Sequence, residues 1–506
     1  MAAKTKRKRA AAERRGAKAA AGQPSAHRRP RTARTRAAAA LGPTAVTIVN
    51  MIPKSLSNET QQDSEPHLTV NPANPQHIVG TAFTPDPFGG PRAPIFISTD
   101  GGDTWTLNTI VPSAPATHDI TTGMSGTGKK LYAGILRAPT SNLDFLRGTD
   151  FNLPNPMSLL QTRPNADQPF THATTVKTGP DAGKERVYIG DNDFNAQPRT
   201  ATIDQSLNAG AAAAAFTSIR IEKRSTVGQD GPQIRPVSHP DGTVYAVFYR
   251  WRALTGSFPA NTLVITSADV VVVRDDHWGT GPNPFMALTD PSDNVAGRRV
   301  AQGVSCPFMV SGTSATGQQR LGGSLSVAVH PNNSSTVYVT WCDRRPNSIL
   351  TLHVRRSSDR GQTWSASDLL TADNSTNAAL AITSAGTVGL LYQQLVGSAA
   401  AQRWVTHLRR TADGVNWNDL VLATVPATTP LKTFDPYIGD YDHLVAVGKT
   451  FYGIFSANNT PDKANFPNGV TYLRNANFTI HQLLRTDNTT PVAASIDPFF
   501  FKLTEP

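Results

Sequence analysis

Aspartate and tyrosine side chains near the ends of predicted β-strands are the candidates for catalysis in this chain. Hydrolysis of a glycosidic bond uses two carboxyl groups about 5–10 Å apart, and a tyrosine or a carboxylate can act as the nucleophile. The catalytic candidates are Asp191, Asp193, Asp440 and Tyr437. Asp191-Asn192-Asp193 also has the form of a calcium-binding sequence, but loops use Asp-x-Asp more often for turns. No metal and no other cofactor is therefore predicted.

A second set of charged residues, expected at the same strand ends, suits an anionic or polyhydroxylated ligand. Arg binds a carboxylate through two parallel hydrogen bonds, and Asp accepts hydrogen bonds from sugar hydroxyls. The set comprises Arg137, Arg235, Arg250, Asp343, Arg345 and Asp435. The alternative is that these charges pair with one another around a watery channel. A glycan or glycoconjugate is the predicted partner.

A short strand pattern with a tyrosine or another bulky residue in its second position recurs along the chain and would position these side chains. The copies begin at residues 78, 131, 187, 244, 337, 388 and 451. Five of the six intervals are about 50–60 residues long, a period that fits β-propeller blades with generous loops. The longer fourth interval indicates an insertion at about residues 252–320.

The repeat and the composition together predict an all-β protein, a β-propeller of four-stranded blades. Seven blades are predicted, with six as the alternative if one copy belongs to the insertion. Only six of the 37 acidic residues are Glu, and Asp favours turns whereas Glu favours helices. Residues 46–506 are predicted to form one propeller domain. A terminal strand within 496–503, joined by Thr47–Val49, is predicted to close the ring and remove an exposed edge.

Three turns that end in tryptophan share the pattern S-x-D-x-G-x-x-W or a shortened form of it. In such a turn the Asp carboxylate accepts backbone N–H groups, the Gly permits positive φ, and the Trp packs the turn onto the sheet. The residues are Ser98, Asp100, Gly102 and Trp105 in the first turn, Ser357, Asp359, Gly361 and Trp364 in the second, and Asp413 and Trp417 in the shortened third. A structural role is predicted for them.

These three turns resemble the Asp boxes of BNR-repeat proteins in the sialidase superfamily, over roughly residues 60–503. Three further segments resemble sequence motifs of bacterial BNR proteins: Glu65–Pro72, Val327–Pro331 and Tyr437–Asp440. The resemblance implies a β-propeller with the Asp boxes on one face and a ligand site at the axis of the opposite face. It also implies a sialidase-like glycoside hydrolase, in which Arg residues hold the substrate, a Tyr activated by a Glu is the nucleophile, and an Asp is the acid.

The chain departs from that family at identifiable points. The F/Y-R-I-P motif is absent, and the nearest sequence is Ile234-Arg235-Pro236. The strand pattern places only Glu65 and Glu222 where a Glu could approach the axis. The Tyr would come from Tyr437, Tyr441, Tyr249 or Tyr392. An exo-glycosidase, a glycan-binding propeller, and a non-catalytic protein- or polyanion-binding propeller tethered by its tail all remain open, because Asp boxes also occur in propellers without activity.

Residues 1–45 form a strongly basic tail. They hold 13 of the 48 Lys and Arg residues and one of the 37 acidic residues, so the remaining 35 basic and 36 acidic residues nearly cancel. The tail is rich in Ala, Arg and Lys and is predicted to be disordered on its own. Three interpretations of the tail are open: a solvated leader, an arm that contacts nucleic acid or another polyanion, and a targeting peptide. A standard secretory signal is disfavoured because the tail lacks the apolar segment of such a signal.

Two further features bear on class and compartment. Cys306 and Cys342 do not make a disulfide framework; the two could pair, but buried thiols are favoured. No apolar stretch approaches the ~20 residues that span a bilayer, so no transmembrane helix is predicted. A monomer is expected, and the sequence leaves the compartment undetermined.

Overall fold

The computed structural model describes residues 45–83, 94–108, 117–137, 140–150, 157–231, 233–257, 262–307, 324–345, 348–430 and 438–506. The regular structure of these residues is β-strand apart from short 3-10 helices at Lys54–Leu56, Ala399–Ala401 and Lys463–Asn465. No helix in these ranges has the length and hydropathy to cross a membrane.

The strands are numbered in chain order, and blades 1 to 6 have four strands each. Strand β1 is Val46–Asn50. Blade 1 consists of β2 (Ser64–Val70), β3 (Ile78–Phe83), β4 (Ile95–Ser98) and β5 (Thr106–Asn108); blade 2 of β6 (Thr117–Met124), β7 (Leu131–Arg137), β8 (Asn142–Gly148) and β9 (Ser158–Arg163); and blade 3 of β10 (Ala166–Thr175), β11 (Glu185–Asp193), β12 (Thr200–Ser206) and β13 (Thr217–Arg220).

The second half of the chain repeats this arrangement. Blade 4 consists of β14 (Arg235–Ser238), β15 (Val244–Thr255), β16 (Val264–Asp275) and β17 (Arg298–Pro307); blade 5 of β18 (Leu325–His330), β19 (Asn333–Arg345), β20 (Ser348–Ser357) and β21 (Leu370–Asp373); and blade 6 of β22 (Ser375–Ile382), β23 (Val388–Val396), β24 (Arg403–Thr411) and β25 (Asn418–Pro426). The remaining strands are β26 (His443–Val447), β27 (Thr450–Asn458), β28 (Thr471–Tyr472), β29 (Ala476–Asn477), β30 (Gln482–Leu484), β31 (Pro491–Val492) and β32 (Ile496–Thr504).

The blades form a closed ring around a central axis. The first strand of each blade contacts the first strand of the next, in the order β2, β6, β10, β14, β18, β22 and β26, and β26 contacts β2. Within each of blades 1 to 6 the four strands follow one another in sequence order. The described part of the chain is therefore the predicted all-β propeller, with seven blades, first strands at the axis and fourth strands at the rim.

The seventh blade is built from both ends of the chain. Its sheet has the order β26-β27-β32-β1-β28, so the C-terminal β32 lies between β27 and the N-terminal β1. Phe501 of β32 pairs with Gly453 on one side and with Ile48 on the other, antiparallel in both cases. Phe499, Phe500 and Phe501 are fully buried. The predicted closure by terminal strands is confirmed.

Strands that lie between two neighbouring blades are buried on both faces. Val244–Tyr249 and Val270–Val273 of blade 4 are buried throughout, which explains why their sequence is a continuous apolar run rather than an alternating one. Strands β16 and β17, within the segment predicted as an insertion, are the third and fourth strands of this blade. Cys306 and Cys342 belong to the same core and are free, buried thiols, as predicted.

The turns between the third and fourth strands of blades 1 and 5 share one hydrogen-bond pattern. Asp359 Oδ1 accepts from the Thr363 N–H at 2.9 Å and from Ser357 Oγ at 2.8 Å, and Asp359 Oδ2 accepts from Thr363 Oγ1 at 2.5 Å. Ser357 Oγ accepts from the Gly361 N–H at 2.8 Å. The same bonds join Ser98, Asp100, Gly102 and Thr104 in blade 1, and related ones join Thr411, Asp413, Val415 and Asn416 in blade 6. Each Asp carboxylate is engaged inside its own turn.

The first of these turns packs against the closing strand. Gly102 has φ of 92°, and a Cβ at this position would lie 2.1 Å from Phe500 Cε1, so only glycine fits. Trp105 is buried, its Nε1 donates to the Gly102 carbonyl at 3.1 Å, and its ring meets Phe500 edge-on at 5.3 Å. In blade 1 the turn therefore packs directly against the strand that closes the ring.

Replacing Phe501 with Ala is expected to lower the free energy of unfolding by about 3–5 kcal/mol, because a fully buried ring in the closing strand is lost. Urea-induced unfolding followed by tryptophan fluorescence measures the change. Ile480→Ala is the control, since Ile480 is 54% exposed and should change stability by less than about 0.5 kcal/mol. An effect at Phe501 no larger than that of the control would contradict the importance of the closure.

Replacing Asp359 with Ala is expected to cost about 1–2 kcal/mol at pH 7, because the turn loses its acceptor. Burial opposes ionisation, but the hydrogen bonds from Thr363 and Ser357 outweigh it and lower the pKa of Asp359 below its ordinary value. The contribution of a carboxylate with a lowered pKa is present above the unfolded pKa and is lost as the pH falls through the folded pKa. The difference from wild type should therefore shrink below about pH 4. Gln362→Ala in the same turn is the control, and equal losses at both positions would argue against the bracing role.

Candidate functional site

Five polar residues meet at the axis, at the end of the propeller opposite the tryptophan-ended turns; they are named the axial cluster. Glu65 comes from β2, Asp119 from β6, Arg235 from β14, and Tyr441 and Asp442 are the two residues before β26. The first strands of all blades begin at this end, so their initial residues converge. The exposed fractions run from 0% for Asp442 to 4% for Asp119.

β-Bulges occur at the beginning of the first strands of blades 1, 2, 3 and 6. Glu65 (φ 51°), Gln168 (φ 53°) and Asn377 (φ 57°) occupy the same position within three of these bulges. Non-glycine residues with positive φ are uncommon, and both they and bulges are concentrated at functional sites. Because a bulge re-aims a side chain, otherwise apolar strands begin here with a buried polar residue.

Tyr441 has a carboxylate directly beside its hydroxyl. The hydroxyl donates to Asp119 Oδ1 at 3.1 Å. Burial, followed by the negative charges of Asp119 and Glu65, raises the pKa of Tyr441 well above its ordinary value. Glu65 is packed closely under Gly439, where φ is 93° and a Cβ would lie 2.4 Å from Glu65 N. Tyr441 is thus a neutral phenol whose hydroxyl donates to the Asp119 carboxylate.

Arg235 brings a positive charge into the axial cluster. Its guanidinium carbon lies 4.8 Å from the centre of the Phe170 ring and 5.9 Å from that of Tyr441. Burial lowers the pKa of Arg235 to about 10, against the raising effect of Tyr441 and Asp442. Burial raises the pKa of Asp442 well above its ordinary value, against the lowering effect of the Ser456 backbone and Arg235. A charged guanidinium therefore adjoins a carboxyl group that burial shifts toward its protonated form.

The cavity on the axis lies on the other side of this cluster, toward the tryptophan-ended turns. It has a volume of about 460 Å³ and is lined by the ends of first strands, including Val70 and Val447, and by Arg235 and His443. The His443 ring stacks on His67 at 3.9 Å, and burial lowers the pKa of both imidazoles, that of His443 to about 3. Both rings are therefore neutral at pH 7, and the cavity beside them is lined by apolar residues such as Val70 and by polar ones such as Thr122 and Ser326.

Asp191 and Asp193, predicted as catalytic residues, lie close together at the end of the second strand of blade 3 and not on a first strand. Arg163 of blade 2 binds Asp193 at 2.9 Å and Asp204 of β12 at 3.1 Å. Burial, and next the charge of Asp204, raises the pKa of Asp191 well above its ordinary value. Three carboxyl groups thus surround one guanidinium at the junction of blades 2 and 3.

Most of the predicted ligand-binding residues are paired with acidic neighbours. The pairs are Arg137 with Asp144 at 2.8 Å, Arg250 with Asp269 at 3.0 Å, and Arg345 with Asp343 at 2.8 Å. These ion pairs correspond to the alternative interpretation, in which the charged residues at the strand ends pair with one another instead of binding a ligand. Among the described members of the set, Arg235 belongs to the axial cluster.

The segment before β26 holds the remaining predicted residues. Asp440 directly precedes Tyr441 and is 1% exposed. Tyr437 and Asp435 lie outside the described residues. The catalytic and ligand-binding roles of all these residues stay predictions.

From the sequence, Glu65 and Tyr441 were candidates only for the Glu and the Tyr of a sialidase-type site, and Asp119 and Asp442 were not selected among the polar residues before the first strands. The available signal was their position at the start of a first strand, which places a residue at the axis of a propeller. That position alone did not distinguish them from the many other polar residues at strand ends, and the bulges at Glu65 and Asp119 depend on the pairing of two strands and not on a local sequence motif.

A separate buried polar group lies in the closing blade. Carboxylate oxygens of Glu59, Asp63 and Asp497 lie within 4.8 Å of one another. Arg474 Nη1 lies 3.0 Å from Asp497 and 3.8 Å from Glu59, and Arg474 Nη2 donates to the carbonyls of Ser57 and Glu59. The guanidinium already supplies positive charge to these carboxylates, so the group is an ion-pair network and no metal is proposed for it.

Replacing Glu59 with Gln is expected to change the pH dependence of stability. Burial, and next the charge of Asp497, raises the pKa of Glu59 to about 8 from 4.5. A carboxyl group with a raised pKa contributes fully below the unfolded value, and its contribution is lost as the pH rises through the folded value. The amide of the variant cannot ionise, so the variant should gain stability relative to wild type between about pH 5 and pH 8. Urea unfolding across this range measures the gain, and parallel pH curves would contradict the assignment.

Comparison with known proteins finds similar solved structures but no matching family. No protein-family model matches the chain, and no curated protein matches it. Kuenenia stuttgartiensis hydrazine synthase is similar at 13% identity over 78% of this chain and 93% of that chain, with a TM-score of 0.38. Drosophila semaphorin 2a is similar at 10% identity over 82% of this chain and 74% of that chain, with a TM-score of 0.41. The Fusarium graminearum α-L-arabinofuranosidase Arb93A in complex with an iminosugar inhibitor is similar at 11% identity over 90% of this chain and 98% of that chain, with a TM-score of 0.37. At these identities and scores none of them assigns an activity, so the function is argued from the residues of this chain.

Proposed function

We propose that this protein is a glycan-directed β-propeller of sialidase-like type that hydrolyses a terminal glycosidic bond at the axial cluster. The observation that carries the proposal is the Tyr441 hydroxyl bonded to Asp119 at 3.1 Å, with Glu65 and Arg235 beside it. A tyrosine with an acidic partner, a further acid and an arginine are the residue types that the sialidase resemblance implies. They occupy the end of the axis where that resemblance places the ligand.

The proposed reaction has two displacements at the anomeric carbon. Tyr441 Oη bonds to that carbon while its proton passes to Asp119, and Asp442 gives its proton to the leaving oxygen as the glycosidic bond breaks. Water then attacks the same carbon, returns a proton to Asp442, and displaces the Tyr441 phenolate, which regains its proton from Asp119. The anomeric configuration is retained.

The environment supports this division of roles. Burial raises the pKa of Asp442, which suits a general acid that must be protonated at neutral pH. The raised pKa of Tyr441 requires that its proton leave as the new bond forms, and Asp119 is within hydrogen-bond distance to accept it. Arg235, charged at neutral pH, would bind a carboxylate or hydroxyl oxygen of the sugar.

The predicted residues outside the axial cluster are competing candidates within the same proposal. Asp440 adjoins Tyr441 in sequence, and Tyr437 precedes it. Asp191 and Asp193 offer a second acid group, because burial raises the pKa of Asp191 while Arg163 binds Asp193. Variants of these residues therefore belong in the same experiment.

The burial of the axial cluster favours a second function, a non-catalytic propeller that binds a glycan or a protein. Exposed fractions of 0–4% mean that a substrate reaches these groups only if side chains or backbone move. In this alternative the buried polar groups tie the first strands of four blades together, and the basic tail supplies contacts with a polyanion.

Tyr441→Phe and Asp119→Asn are each expected to lower the turnover of a responsive fluorogenic glycoside by about 10²–10⁴-fold, because the nucleophile or its base is lost. Tyr188→Phe is the matched control. It also removes one buried hydroxyl, which donates to the Trp278 carbonyl at 2.9 Å away from the axis, and should leave turnover unchanged.

The remaining outcomes separate the alternatives. Loss of turnover in Asp191→Asn or Asp440→Asn, with Tyr441→Phe fully active, would move the site to those acids. A wild-type protein that turns over no glycoside in the panel but binds a glycan array would support the non-catalytic function.

A further inference from the structure

A polar cleft between blades 4 and 5 lies away from the axis. It has a volume of about 420 Å³ and is lined by residues 300–305 of β17 and by Trp341, Asp343, Arg344, Arg345 and Arg355 of blade 5. These residues belong to the fourth strand of blade 4 and to the second and third strands of blade 5, whereas the axis is lined by first strands. A volume of this size fits a monosaccharide-sized ligand.

One part of the cleft wall is a structural layer that recurs in the next blade. In blade 5 the Trp341 ring stacks on His353 at 4.9 Å, His353 Nδ1 bonds to Asp368 at 2.9 Å, and Arg355 lies over Trp341 at 5.3 Å. Blade 6 has the same layer, formed by Tyr392, His407, Asp419 and Arg409 at 4.8, 3.0 and 5.9 Å. The aromatic–His–Asp–Arg layer is therefore part of the blade construction and needs no ligand to explain it.

Blade 5 adds charged residues that blade 6 lacks. Asp343 and Arg345 follow Trp341 at positions where blade 6 has Gln394 and Val396 after its aromatic residue. Asp343 holds the Arg345 guanidinium at 2.8 and 3.2 Å and also bonds to His353 Nε2 at 3.1 Å. The Arg345 side chain is nevertheless 51% exposed. An arginine whose guanidinium is bonded to a buried carboxylate on one side and exposed to solvent on the other is positioned to bind a ligand.

The charges at the cleft favour an anion. Arg344 is exposed beside Arg345, and Arg355 contributes a third guanidinium that is bonded to Asp368 at 2.7 Å and to the Val300 carbonyl at 2.7 Å. Asp343 is the one carboxylate that lines the described cleft. Trp341 is only 1% exposed and is covered by Arg355, so it offers no face for stacking a neutral sugar ring.

The opposite wall is an irregular strand. Between Ala301 and Val304 strand β17 has one more residue than its partner β16, which is a β-bulge, and Gly303 at φ of 67° donates its N–H to Asp269 at 3.2 Å. A bulge bends the strand and interrupts its ladder, and bulges are frequent beside binding sites. Both walls therefore depart from regular blade structure at the cleft.

We propose that this cleft is a second ligand site, separate from the axial cluster, which binds an oxyanion carried by a monosaccharide-sized ligand through Arg344 and Arg345. A carboxylate, as in a uronic acid, and a free inorganic oxyanion share the required chemistry. Arg344 supplies a two-point contact to the oxyanion, and Arg345, whose Nε and Nη2 are bonded to Asp343, adds a contact from Nη1.

Isothermal titration of the full chain at low ionic strength tests the proposal with sodium glucuronate, glucose and sodium sulfate as probes. Glucuronate is expected to bind and glucose is not. Binding of glucuronate without sulfate identifies an acidic sugar as the ligand, and equal binding of both identifies the bare oxyanion. Failure of both anions to bind would overturn the proposal.

Substitutions of the cleft arginines test whether the anion binds at the cleft. Arg345→Ala and Arg344→Ala are each expected to weaken anion binding at least tenfold. Thermal unfolding should be unchanged in Arg344→Ala, whose side chain is exposed, whereas Arg345→Ala also removes the ion-pair partner of the buried Asp343. Arg199→Ala is the matched control, since Arg199 is also about half exposed, at 45%, and is also paired with a carboxylate, Asp230, at 2.8 Å. Equal weakening by all three variants would indicate general charge attraction and contradict the site. Tyr441→Phe should not alter this binding, so the outcome is independent of the proposed hydrolysis.

Discussion

The closure of the ring through its seventh sheet is the constraint on which the rest of the structure depends. Strand β32 is held between β27 and β1, which ties the last blade to both ends of the described chain. Once the ring is closed, every first strand runs along the axis in the same direction. The residues at the start of these strands then have to meet, whatever their chemistry, and in this chain several of them are polar or charged.

The axis holds a cavity toward the ends of the first strands and the buried axial cluster at their beginnings. The ends of the first strands line a channel with residues such as Val70 and Val447, while their beginnings bury Glu65, Asp119, Arg235 and Asp442. Burying ionisable groups is unfavourable unless they are hydrogen-bonded or change protonation state. The raised pKa of Asp442 and the bond between Tyr441 and Asp119 are the responses seen here, and they are also the properties that a catalytic acid and a nucleophile–base pair require.

The fold was predictable because its signals repeat. Tyr132, Tyr188, Tyr245 and Tyr338 mark the second strand of successive blades, and the turns at Asp100 and Asp359 mark the connection between third and fourth strands. The axial cluster was only partly predictable. Arg235 was identified as a ligand-binding residue, and Glu65 and Tyr441 as possible residues of a sialidase-type site. Asp119 and Asp442 were not selected, because their convergence with the others depends on ring closure and, for Asp119, on a bulge at the start of its strand. Asp191 and Asp193 lie at the end of a second strand, where Arg163 of the neighbouring blade binds Asp193, a contact between blades that no local sequence pattern encodes.

Covalent trapping tests the central claim most directly. A 2-deoxy-2-fluoro glycoside of the preferred sugar slows the second displacement and leaves the sugar attached to the nucleophile, and peptide mass spectrometry then locates it. The account predicts one added sugar on the peptide that contains Tyr441, and none in Tyr441→Phe. Turnover without an adduct on that peptide, or an adduct on the peptide that contains Asp191 and Asp193, would contradict it.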